Sequence, residues 1–88
     1  MKQKTDRDAA YLRHIDRIVC ICKMVLAHHD EDEQCAALTE LVASYIAIHH
    51  PATREEVIET FVKDMRRHIP AAEAELFPDG YPKGWATQ

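Results

Sequence analysis

The stretch Val19–Cys35, VCICKMVLAHHDEDEQC, packs all three cysteines, two adjacent histidines and four consecutive acids into seventeen residues. Its reading decides the fold. Read as chemistry, it is a metal or redox site. Read as architecture, it is the bend of a helical hairpin. The spacings favour the hairpin. Cys20 and Cys22 stand two residues apart, about 200° around a helix axis, so they cannot share a metal or pair without unwinding the helix. A zinc knuckle would place Cys-x-x-Cys on a glycine-bearing turn, and the stretch has neither feature. The acids Asp30–Glu33 suit the first turn of a helix, where the macrodipole is positive. Asp30 then reads as the N-cap of a second helix, and Glu33, three residues on, completes a capping box.

Upstream, Leu12, Ile15, Val19, Cys22, Leu26 and His29 recur at spacings of three and four. Tyr11, Ile18 and Val25 widen this stripe into the core face of an amphipathic helix over about 6–28, opened by Thr5 and Asp8. On this reading Cys22 is a small buried hydrophobe, and so is Cys35 in the next helix. That helix spans about 31–49, with Cys35, Leu38, Leu41, Val42, Tyr45 and Ile48 on one face, and Pro51 ends it. The following PATREEVIETFVKDMRRHIP, residues 51–70, predicts a third helix over about 54–69. Thr53 and Glu56 form its capping box. Val57, Ile58, Phe61, Val62, Met65 and Ile69 form its apolar face. Glu55, Glu56 and Glu59 come early, and Lys63, Arg66, Arg67 and His68 come late, as the helix dipole favours. Pro70–Phe77 adds a short helical turn. Residues 77–88 form an aromatic, turn-rich tail, with Pro78-Asp79-Gly80 as its turn signal and Phe77, Tyr81 and Trp85 as its anchors. The expected fold is all-α, a single small domain over residues 1–88. Its three helices are expected to run antiparallel, because connections of two to five residues force neighbours to reverse direction.

Bulk properties narrow the function classes. The chain has 88 residues, is 47% hydrophobic and 30% charged, and carries a formal net charge of −4. That composition belongs to a folded domain. Its acidic balance disfavours nucleic acid as a partner. The opening MKQKTDRDAAYLR is polar throughout, so no signal peptide is expected. No apolar run reaches the length of about 18 residues that a membrane span needs. An odd number of cysteines, two of them too close to pair, points to a reduced cytoplasmic protein. With 2 glycines, no phosphate-cradling loop is available, and no enzymatic activity or cofactor is expected. Ser44 and Thr39 lie mid-helix without a positioned base.

The histidines need weighing. Antiparallel packing would gather His28, His29, Cys35 and His68, with Glu31 and Asp32, at one pole, and His49 and His50 at the other. Such a pole could form a metal- or redox-responsive site, but the Glu-x-x-His pattern of bundle metal centres is absent. Histidines near helix C-termini also serve as caps for the last carbonyls, and this structural reading is preferred. The basic run KDMRRH, Lys63–His68, could touch a phosphate backbone. It reads more simply as a solvated helix end matched to the dipole.

The surplus apolar surface is more telling. From Ile18 to Ala27 the chain reads IVCICKMVLA, with Lys23 its only polar residue. Cys20, Met24 and Ala27 lie opposite the core stripe and Ile21 on its flank, so the helix is apolar nearly all round and needs burial on both sides. Ala36, Ala43 and Ala47 form a second ridge on the next helix, small enough for close approach of another helix. These residues, with Trp85 of the tail, are the expected partner-binding surface. The economical occupant is a second copy, giving a homodimer built on the first two helices. The expected role is a non-enzymatic protein–protein interaction module: an adaptor, inhibitor or regulatory protein.

Overall fold

The computed structural model describes residues 2–85, with side-chain surroundings from residue 6 to residue 85. Three α-helices, α1 (Lys2–Leu26), α2 (Glu31–Ala47) and α3 (Arg54–Leu76), account for most of them, with a 3₁₀ turn at Pro51–Thr53. The described residues contain no strand. The all-α class is therefore observed. The chain divides into two units, Met1–Val42 and Ala43–Gln88, with the division inside α2.

In the first unit, α1 continues through Thr5 back to Lys2, so Thr5 is not its N-cap. It ends at Leu26, two residues before the expected stop. The chain then tightens: the amides of His28 and His29 donate to the carbonyls of Val25 (3.5 Å) and Leu26 (3.0 Å). These three-residue bonds draw the last turn closed. The expected capping box opens α2. The Glu33 amide donates to Asp30 Oδ1 at 2.8 Å, and the Asp30 amide donates to Glu33 Oε1 at 3.1 Å. All three acids of the first turn stand at the positive end of the dipole. Asp30→Ala removes one arm of this box. The expected cost is about 1 kcal/mol, seen as a fall of roughly 4–8 °C in the thermal midpoint by circular dichroism; an unchanged midpoint would show that the box contributes nothing.

In the second unit, α2 ends at Ala47 and α3 begins at Arg54. The expected Thr53–Glu56 box is not formed. Thr53 is already helical in backbone conformation, with no side-chain cap bond. Its hydroxyl instead donates to the His50 carbonyl at 2.9 Å. The reason lies in the preceding turn: Pro51–Thr53 winds straight into α3, so the capping position moves back to His50, whose Nδ1 accepts from the Ala52 amide at 3.0 Å.

Helix α3 also runs past its expected stop, with Pro70 inside it, and ends at Leu76. The segment Ala71–Leu76, AAEAEL, consists of strong helix formers. Its last turn closes through the Phe77 amide and the Glu73 carbonyl at 2.8 Å. Consequently Lys63–His68 lies mid-helix, and the last turn of α3 has no basic residue. The reading of this cluster as a dipole-matched helix end is corrected.

The tail turns where expected. The Gly80 amide donates to the Phe77 carbonyl at 3.1 Å, a β-turn with proline second and glycine fourth. A second turn follows, Trp85 to Pro82 at 3.2 Å. Its third residue, Gly84, has φ +100°, a conformation that disfavours any side chain. Phe77, Tyr81 and Trp85 gather with ring centroids 5.4–5.9 Å apart. The Tyr81 hydroxyl donates to Glu73 Oε2 and ties the cluster to α3. Residues 86–88 of the expected tail lie outside the described residues.

That bond to Glu73, then desolvation and the carboxylate's charge, raise the Tyr81 phenol above its ordinary pKa of 10.0. A raised phenol pKa means the folded tail favours the protonated form. Its contribution is therefore fully present below about pH 10 and lost as pH rises through the raised value. The emission maximum of Trp85, the sole tryptophan, is expected to shift to the red above pH 10 in the wild type. Tyr81→Phe should show no such alkaline step; an identical step in this variant would dissociate it from Tyr81.

Candidate interaction surface

Polar side chains clasp both inter-helix turns. In the first unit, Gln34 Nε2 donates to the Leu26 carbonyl at 2.7 Å and to the His29 carbonyl at 2.9 Å. In the second, Arg54 Nη2 donates to the Ala47 carbonyl at 3.0 Å and Arg54 Nε to the His49 carbonyl at 3.2 Å. Both side chains are half-buried. Each serves carbonyls at and just beyond the end of the preceding helix, the Leu26 carbonyl accepting from the His29 amide as well. Neither residue stands out in the sequence, because the bonds reach five to eight positions back, beyond any local capping pattern.

Most histidines have structural work. His49 Nδ1 bonds the Tyr45 carbonyl at 2.9 Å and His68 Nδ1 the Asp64 carbonyl at 2.8 Å. In each case the ring nitrogen is the donor, which sets the tautomer. His29 Nδ1 stands 3.6 Å from Glu33 Oε1. His28, His29 and Cys35 lie in the first unit and His68 in the second. Among the described residues no three His, Cys, Asp or Glu side chains gather as a metal site would require. The Thr39 hydroxyl donates to the Cys35 carbonyl at 2.7 Å, so it is occupied by its own helix.

The expected interface residues Cys20, Ile21, Met24, Ala27, Ala36, Ala43, Ala47 and Trp85 are all exposed. So, however, are residues assigned to the core. Leu12, Val19, Cys22, Cys35, Leu38, Leu41, Tyr45 and Ile48 are exposed, and only Ile15, Leu26, Ala37, Val42 and Ile46 of α1 and α2's apolar positions reach half-burial beside Ala9. The reading of Cys22 and Cys35 as buried hydrophobes is corrected: all three thiols are free and exposed. Periodicity states which side of a helix is apolar, but carries nothing about what lies opposite it.

The second unit holds a groove of about 560 Å³ between the end of α2 and α3. Tyr45, Val57, Phe61 and Met65 supply its apolar lining, and the Tyr45 and Phe61 rings lie 6.2 Å apart. Glu56, Thr60, Asp64 and the two carbonyl-bound rings of His49 and His68 supply its polar lining. No protein-family model, curated protein or solved structure matches this chain. No helix among the described residues is long and apolar enough to cross a membrane.

Proposed function

We propose that this chain is a cytoplasmic protein–protein interaction module, acting as a homodimer through α1 and α2 and doing no chemistry of its own. The observation that carries this reading is the two-sided exposure of α1. On its outer side Met24 is 68% exposed, and on the opposite stripe Leu12 is 61% exposed. Ile18, Ile21 and Val25 stand between them in the same state. Fully burying a side chain of this size is worth about 1.5–3 kcal/mol. These five are only about half exposed, so covering them recovers roughly 6 kcal/mol per copy. A two-fold arrangement presents each surface twice, which brings the gain to about 12 kcal/mol, comparable with the 4–15 kcal/mol that association costs in lost freedom. The small ridge Ala36, Ala43 and Ala47 lets a second helix backbone approach closely. Within this class the role is that of an adaptor, inhibitor or regulatory subunit. Sedimentation velocity of the untagged chain tests it: a dimer at low micromolar concentration is expected, and a monomer persisting at high micromolar concentration would remove the proposal.

A further inference from the structure

We infer that the groove between α2 and α3 seats α1 of a second copy of the chain, so that each copy both gives α1 and receives it. This rests on the homodimer reading and goes beyond it: Tyr45, which lines the groove, lies about 180° around α2 from the Ala36, Ala43 and Ala47 ridge, so the groove is a different contact surface from that ridge. Charge decides between the available contacts. Helix α1 carries six basic and three acidic side chains, a net +3. Helix α2 carries four acids and no Lys or Arg, a net −4. Helix α3 carries four basic and six acidic side chains, a net −2. Packing α1 on its own symmetry mate would set two cationic helices side by side. Packing it on the α2–α3 groove sets it against acidic helices, and like-charge juxtaposition is what electrostatic specificity selects against.

The detail agrees. Along the outer ridge of α1, Arg13 and Arg17 precede Cys20 and Met24, all within about 60° of one another around the axis. The stretch Arg13–Met24 is about 17 Å long, and the groove from Glu56 to His68 is about 18 Å long. Glu56 and Asp64 belong to the groove's polar lining and Val57, Phe61 and Met65 to its apolar lining. With Arg13 set beside Glu56 and the helices parallel, Arg17 stands about 6 Å along toward Asp64 at about 12 Å, and Met24 falls about 16 Å along, between Met65 and His68; the long guanidinium side chains can then meet the carboxylates and Met24 the apolar lining. Helix-in-groove docking of this kind draws its affinity from the apolar anchors and its register from the flanking charges.

The test is charge reversal with rescue in trans, using full-length chains. Glu56→Lys with Asp64→Lys is expected to weaken self-association about ten-fold, and Glu56→Gln with Asp64→Asn by less. Both residues are exposed, and circular dichroism confirms that the helices survive. Mixing the lysine variant with an Arg13→Glu, Arg17→Glu variant should restore association between the two chains. If the lysine variant associates like the wild type while Met24→Glu does not, α1 meets another surface: the inference falls and the homodimer stands. If the wild type is a monomer, both fall. If rescue occurs only when all four substitutions share one chain, α1 occupies its own groove and the inference is overturned.

Discussion

Met24→Glu is expected to raise the dimer dissociation constant at least about 100-fold, while the far-UV spectrum stays helical. The residue sits opposite the core stripe of α1 and is 68% exposed in the single chain. A partner that covers this position gains most of the roughly 1.5–3 kcal/mol of a methionine burial. Glutamate forfeits that and adds an uncompensated carboxylate, which costs several kcal/mol to desolvate. A loss of about 3 kcal/mol corresponds to more than two decades in affinity. The isolated chain leaves the side chain in water, so folding of α1 itself has little stake in it, and glutamate is as good a helix former as methionine. Sedimentation equilibrium of wild type and variant, with circular dichroism as the control, measures both quantities. Equal dissociation constants would place the interface elsewhere.

Pro70→Ala is expected to stabilise the second unit by about 2 kcal/mol. Pro70 lies inside α3, where it has no amide to give the Arg66 carbonyl, four residues earlier, and its ring crowds that carbonyl. Host–guest values put proline about 3 kcal/mol below alanine in a helix interior. Part of that is returned, because proline also lowers the entropy of the unfolded chain by about 0.4–1 kcal/mol equivalent. The gain is read as a rise in the denaturant midpoint at unchanged slope, and as slower amide exchange over Ala71–Leu76. A midpoint unmoved or lowered would mean that the proline's kink is required, for instance to bring Phe77 and Tyr81 back toward Glu73.

Features whose hydrogen bonds close over four residues or fewer were largely legible in advance. The Asp30–Glu33 box and the Phe77–Gly80 turn formed where their residue types called for them. Local rules also failed where two of them competed. Thr53 is a good cap by type, but the Pro51 turn leads into the helix and moves the role to His50. Pro70 is a stop by type, but the alanine- and glutamate-rich segment after it, closed by Phe77 and anchored through Tyr81, continues the helix by nearly two turns. The clasps of Gln34 and Arg54 were invisible because each depends on how the chain turns between helices.

The sequence by itself determined that the chain is helical, where the helices change, and which side of each is apolar. These are consequences of backbone bonds and of side-chain rotation at about 100° per residue. Only the tertiary structure decided which apolar residues are covered. It left Leu12, Val19 and Cys22 exposed along with Met24, and it joined Tyr45 to Phe61 across a groove. Burial is a relation between two surfaces, and a helical period describes one surface at a time.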